Sequence, residues 1–372
     1  MFQSQRNTDS IFMSLSQAEN ELQKLIQGVE APSETWRAEA RLRLDQLTKP
    51  LGSLGRLENL AAQLVAIRHG DIATPLRKAA YVFAADHGIT AEGVSAYPRD
   101  VTHQMVLNFL KGGAAINVLA HLHQVVLYVV DVGVDADLAD LDGLLHRKVA
   151  QGTRNMLHEA AMTDDQMAAA LSVGARLAAE AAARGCDVLA IGEMGIGNTT
   201  AASAITCALT HCDAALATGT GTGIDPEVRA RKIRVIEATL AQHFGDNCDT
   251  APLDILRCVG GLEIAAMTGM VLAAARHRIA VVADGFISTA AAALAVAMQP
   301  KVREYLIAGH RSEEPGHSLL LKQLDLLPVL SLGMRLGEGT GAVLAMPILE
   351  SAICLYNQMA TFASAGVSEA SA

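Results

Sequence analysis

The chain has 372 residues, of which 51% are apolar, 18% charged and 3% aromatic, and its net charge is −10. That length and apolar share furnish the core of one large α/β domain or two ordinary ones. The acidic balance, with no Lys/Arg cluster interleaved with aromatic residues, argues against general affinity for nucleic acid.

The N-terminus "MFQSQRNTDSIFMSLSQAENELQKLIQG" is polar and then amphipathic. It lacks the basic start and compact apolar block of a signal peptide, so a cytoplasmic protein is expected. The first forty or so residues predict charged helices. Strands are then predicted at "AAYVFAAD" (79–86), "QVVLYVVDVG" (124–133), "CDVLAIGEMG" (186–195), "RIAVVADG" (278–285) and "EYLIAGH" (304–310). Each run is continuously apolar rather than alternating, as in strands covered on both faces of a parallel sheet. The most apolar helical stretches, 264–275 and 286–299, fall short of the roughly 18 apolar residues of a membrane span and predict buried helices, with no membrane association. From about Met346 onward a helix is predicted, ending in the small-residue tail "SAGVSEASA".

This pattern predicts an α/β doubly wound domain, with a small helical domain assembled from the N- and C-terminal segments. The expected divisions are 1–45, 46–330 and 331–372. Ligands of such sheets collect beyond the carboxyl ends of the strands, and that rim carries Asp86-His87-Gly88, Asp131, Glu193, Asp284-Gly285 and Gly309-His310. The six cysteines form no C-x-x-C pair and are expected to be mostly reduced core residues. The twelve histidines form no H-E-x-x-H, and no metal site is expected from them.

"GEMGIGNTTAASAI" (192–205) follows a strand and opens a helix, presenting Asn198 and Thr199 with backbone N–H groups to an anion. Its G-x-x-G-x-G spacing matches neither the dinucleotide fingerprint nor the Walker loop, so a ligand-free turn is an equal reading. "ATGTGTGIDPEVRARKI" (217–233) repeats the idea with Gly219, Gly221 and Gly223, followed by Arg229, Arg231 and Lys232. Two such loops on one rim favour a phosphorylated small molecule over a solvated surface loop. In "MRLGEGTGAVL" (334–344) a single acid, Glu338, stands between two glycines. A carboxylate in surroundings poor in water has a raised pKa and suits a general base; Glu193 is the second such candidate. An ion pair between Glu338 and Arg335 is the structural alternative.

Seven blocks carry a more specific likeness: "LTKPLGSLGRLE" (47–58), "AADHGITAEGVSAYPRDVTHQMVLNFLKGGAAINVLA" (84–120), "IGEMGIGNTTAASA" (191–204), "VGGLEIAAMTG" (259–269), "DGFISTAAAAL" (284–294), "GHRSEEPGH" (309–317) and "MRLGEGTGA" (334–342). In kind and order they resemble the nicotinate-nucleotide:dimethylbenzimidazole phosphoribosyltransferase family. The resemblance implies a Rossmann-like parallel sheet with a small helical domain, and a homodimer whose active site is completed by the neighbouring subunit. It implies transfer of the 5-phosphoribosyl group from nicotinate mononucleotide to 5,6-dimethylbenzimidazole, a step in cobalamin lower-ligand synthesis. The leaving nicotinate is already a pyridinium, so neither metal nor cofactor is implied.

By the same resemblance Glu338 is the base and Glu193 a second active-site acid. Gly195, Gly197, Asn198, Thr199, Gly219, Gly221, Gly223, Lys232 and Arg335 would surround the mononucleotide and its phosphate. Tyr97, Gln104, Met105 and Leu336 would line the benzimidazole slot. The chain departs from the family in extra residues before the matching region and in its Ala/Ser tail. A nicotinamide-dependent dehydrogenase is disfavoured by the glycine spacing, and a phosphoribosyl-diphosphate enzyme by the lack of paired acids before a Thr-Gly-Gly-Thr-like loop. A non-catalytic nucleotide-binding protein that kept the fold remains a third reading, which turnover would decide.

Overall fold

The computed structural model describes residues 15–219, 225–245 and 249–368. Gly221, Gly223 and Cys248 lie outside them. Six strands form one sheet: β1 (Lys78–Ala85), β2 (Val126–Gly133), β3 (Leu144–His146), β4 (Val188–Met194), β5 (Ala280–Ala283) and β6 (Leu306–Ala308). Their order is β3-β2-β1-β4-β5-β6 and every pairing is parallel. This is the Rossmann strand order, which reverses direction between β1 and β4.

The central strands are apolar along their whole length because helices cover both faces. Helix Leu262–Arg276 lies across β1, β2, β4 and β5, backed by Asp164–Ala183, while Thr340–Gln358 lies against β4 and β5 and Ala115–Leu122 against β2. Leu262–Arg276 and Thr340–Gln358 share β4 and β5 without packing substantially on one another, so they occupy opposite faces. The helix pair Asp164–Ala183 and Leu262–Arg276 crosses very closely. A β-carbon on Gly174 would collide with the Ala266 carbonyl, so the small residue at 174 is what lets the backbones meet.

Both ends of the chain are helical. Glu34–Asp45 packs on Arg56–Arg68, and Thr340–Gln358 packs on both. Leu47 bridges Thr361, and Arg43 Nε donates to the Tyr356 carbonyl at 2.7 Å. Helix Leu15–Gln27 instead lies against Asp164–Ala183 and Leu262–Arg276.

Five of the six strands fall where the apolar runs place them. The sixth, β3, is a three-residue edge strand whose "LLH" is too short to stand out from its polar surroundings. The stretches Val101–Leu122 and Thr340–Gln358 are, by length and composition, apolar enough to cross a membrane, which the sequence reading did not anticipate. The first is broken into Val101–Leu110 and Ala115–Leu122, and the second buries Val343, Met346, Leu349 and Ile353 in the protein core. Cys186, Cys207 and Cys258 are buried free thiols, while Cys212 and Cys354 are free and partly exposed.

Gly174→Ala is expected to lower the unfolding free energy by about 1–3 kcal/mol by forcing the two helices apart. Urea denaturation reads this as a lower midpoint, and an unchanged midpoint would contradict the close packing described.

Candidate active site

The polar rim residues do gather at the carboxyl ends of the strands, and they are buried there. Asp86, His87, Asp131, Glu193, Asp284 and His310 are all 8% exposed or less. The switch between β1 and β4 brings His87, just past the end of β1, next to Gly195 and Gly197, just past the end of β4. Gly195 turns beneath the Ala85 carbonyl, with the His87 ring beside it. His87 Nε2 lies 2.6 Å from Glu263 Oε1, a buried pair in which Glu263 Oε2 has no hydrogen-bond partner among the described residues.

Glu338 stands above this junction in an unusual backbone setting. Gly337, Glu338 and Gly339 all have positive φ, at 86°, 63° and 91°. The left-handed region is strained for glutamate, and such strain persists only where the surroundings over-determine it. Here the floor is Gly192 of β4: a β-carbon at 192 would lie 2.5 Å from the Glu338 backbone carbon and oxygen. The ceiling is helix Ala115–Leu122, whose Ile116 N–H donates to Glu338 Oε2 at 3.4 Å. Burial raises the Glu338 carboxyl pKa, the Ile116 N–H opposes the shift, and the Asp284 charge adds to it. Arg335 is exposed and forms no ion pair with Glu338 among the described residues, so the structural alternative is not realised.

Glu193 lies against the turn that carries Glu338, because a β-carbon at Gly337 would lie 2.5 Å from Glu193 Oε1. Asn198 Nδ2 donates to Glu193 Oε2 across the turn Met194–Gly197. Burial pushes Glu193 up to about 8; the Asn198 bond resists, and the charges of Glu263, Asp284 and Glu338 reinforce the rise. A carboxyl so placed holds its proton through neutral pH in the free protein.

A second cluster lies at the start of helix Asn198–Thr210, which no side chain among the described residues caps. Lys232 is 1% exposed, and its Nζ donates to Thr199 Oγ1 at 2.6 Å. Burial lowers the ammonium to about 8, against the pull of Glu314. The buried hydroxyls of Thr200 and Thr218 have no partner among the described residues, and Gly219 lies directly against the Glu314 carboxylate. A buried cation, a free helix start and unpaired hydroxyls together suit a phosphate.

Among the described residues no group of three or more His, Cys, Asp or Glu side chains is arranged to hold a metal ion. Of the remaining candidates, Tyr97, Gln104 and Leu336 are exposed and Met105 is partly buried. The segment that carries Gln104 and Met105 is tied to the glycine loop, since Ile196 N–H donates to Thr102 Oγ1 at 3.1 Å. Sequence reasoning placed His87 and Asp284 on the ligand rim without giving either a role, and singled out neither Glu263 nor Glu314. Its available signal for Glu263 was a single acid near the start of the otherwise apolar helix "LEIAAMTGMVLAAAR", since a charge in such a run must be buried against a partner.

Because the folded Glu193 pKa stands above the ordinary 4.5, the folded state holds more protons than the unfolded between 4.5 and about 8, and stability from this group is lost as pH rises through that window. Glu193→Gln removes the titration. Its melting temperature relative to the unaltered protein is expected to rise from about pH 5 to about pH 8. A difference independent of pH would contradict the buried, protonated carboxyl.

A family model described as Phosphoribosyltransferase matches residues 29–367. The nicotinate-nucleotide–dimethylbenzimidazole phosphoribosyltransferase of Geobacter sulfurreducens is 51% identical over 332 residues, covering 89% of this chain and 94% of its own. That of Chloroflexus aggregans is 52% identical over 330 residues, covering 89% and 93%. A crystal structure of CobT from Thermus thermophilus superposes with a TM-score of 0.86 at 48% identity, covering 90% of this chain and 100% of that one. With these matches spanning nearly all of the sheet and both glycine loops, the chain belongs to the nicotinate-nucleotide:dimethylbenzimidazole phosphoribosyltransferase family.

Proposed function

We propose that the protein transfers the 5-phosphoribosyl group of nicotinate mononucleotide to 5,6-dimethylbenzimidazole, giving α-ribazole 5'-phosphate and nicotinate, with Glu338 as the proton acceptor. Family membership supports the reaction, and relatives bearing that name are about half identical over most of the chain. The observation that carries the residue assignment is Glu338 itself, a buried carboxylate held in a strained left-handed turn at the sheet's switch point.

The chemistry asks for little beyond this. One benzimidazole nitrogen attacks C1' while the C1'–pyridinium bond breaks, and its electron pair returns to the nicotinate ring. The other benzimidazole nitrogen loses its proton to Glu338. Attack from the face opposite the leaving group inverts a β-nucleotide into an α-product. The raised carboxyl pKa brings the acceptor toward neutral pH, where a general base works best. Glu193 lies against the same turn; a cationic pyridinium or an oxocarbenium-like C1' arriving beside it favours its ionised form, so the charge develops where it is needed.

Lys232, Thr199, Asn198 and the loop at Gly195 and Gly197 are assigned to the phosphoribosyl group, with Gly219 and the residues Gly221 and Gly223 that follow it. Arg335 is assigned to the outer edge of that site, and Leu336, Met105, Gln104 and Tyr97 to the benzimidazole. The exposed apolar side chains Leu332 and Leu336, in the loop that leads into Glu338, support a homodimer in which a neighbouring subunit covers this side of the site. Of the expected segments 1–45 and 331–372, helices Glu34–Asp45 and Thr340–Gln358 would form the small domain beside the main body 46–330, with Leu15–Gln27 lying on the main body instead, and the cell compartment is taken as the cytoplasm. A sedimenting mass near the monomer's 39.0 kDa would contradict the dimer.

Glu338→Gln is expected to lower base-dependent nicotinate release about 10²–10⁴-fold while mononucleotide binding persists. Normal turnover in this variant would return the proton transfer to Glu193 or water. Lys232→Met is expected to raise KM for nicotinate mononucleotide about 10-fold or more, as loss of a charge-assisted phosphate contact does. An unchanged KM would place the phosphate elsewhere.

A further inference from the structure

Asp284 follows β5 directly and is 2% exposed. Its carboxylate accepts three backbone N–H groups: Gly339 on Oδ2 at 3.1 Å, and Gly341 and Ala342 on Oδ1 at 2.6 and 3.0 Å. These belong to the first turn of helix Thr340–Gln358 and to the residue just after Glu338. One carboxylate thus caps the helix and clamps the end of the left-handed turn. Gly192 of the neighbouring strand supports the Glu338 backbone from below. On the other side of Asp284, His310 is 1% exposed, its Nδ1 is 3.6 Å from Oδ1, and neither ring nitrogen has a hydrogen-bond partner among the described residues.

We propose that Asp284 is a positioning residue for the transfer: it touches no reacting atom, and its three backbone bonds fix the Gly337–Gly339 turn that aims Glu338. Asparagine at 284 would be isosteric, but its amide nitrogen cannot accept, so at least one face of the clamp would set donor against donor. The turn would lose the contact that offsets its strain, and Glu338 would be displaced. Misplacement on the scale of 1 Å costs a reaction about 100-fold.

The inference rests on Glu338 being the proton acceptor, so the experiment compares Asp284→Asn, Glu338→Gln and the double variant by nicotinate release from nicotinate mononucleotide and 5,6-dimethylbenzimidazole. Asp284→Asn is expected to lower kcat on the order of 100-fold with KM for the mononucleotide within about threefold. In the Glu338→Gln background the same change is expected to cost less than about threefold, because the two residues act as one unit.

A kcat within about threefold of the unaltered protein, or a loss that adds in full to that of Glu338→Gln, overturns the inference. Normal turnover by Glu338→Gln alone would instead overturn the base assignment, so the two failures are distinguishable. Should Asp284→Asn not fold, Asp284→Ser keeps one acceptor in a smaller side chain and carries the same expectations.

Discussion

A carboxylate taken out of water must find donors, and Asp284 finds three in the first turn of helix Thr340–Gln358. Much of the site follows from that satisfaction. It ties the C-terminal helix to the carboxyl end of β5 and closes the left-handed turn. It also sets the Glu338 backbone on the bare surface of Gly192 in the adjacent strand. The glycines on either side of Glu338 make sense in this light, because three consecutive residues of positive φ are tolerable only if two of them lack a β-carbon.

The electrostatics have the same origin. Glu193, Glu263, Asp284 and Glu338 converge at strand ends where the sheet and its helices leave little room for water. Burial raises the Glu193, Asp284 and Glu338 carboxyl pKa values in the free protein, and neighbouring carboxylates add to the rise at Glu193 and Glu338. A positive ring nitrogen brought beside these groups would favour their ionised forms, as the proposed leaving group and the charge at C1' require. Lys232, buried and hydrogen-bonded to Thr199 at the head of a helix that no described side chain caps, offers the opposite charge that the proposed phosphate contact requires.

Much of this architecture was legible in the chain, for physical reasons that also mark where legibility ends. β1, β2, β4, β5 and β6 announce themselves because burial on both faces demands unbroken apolar runs, whereas β3, a short edge strand, carries too little of that signal. The pairing of Asn198 with Glu193 is five residues apart and follows from a tight strand-to-helix turn. By contrast, Lys232 meets Thr199 across 33 residues, and Asp284 meets Gly339 across 55. Such contacts depend on how β4, β5 and the C-terminal helix stack, which no local pattern encodes. Glycine-rich surroundings singled out Glu338 and Glu193 as candidate bases and the resemblance agreed; the coordinates add that the Glu193 carboxylate lies against Gly337, next to Glu338.

The most direct test of this account is a crystal structure of the protein bound to 5,6-dimethylbenzimidazole. One ring nitrogen is expected within about 2.6–3.2 Å of the Glu338 carboxylate, with the other directed toward the Lys232 and Asn198 side where C1' would lie. A benzimidazole whose nitrogens both point away from Glu338, leaving that carboxylate bonded only to the Ile116 N–H, would contradict it.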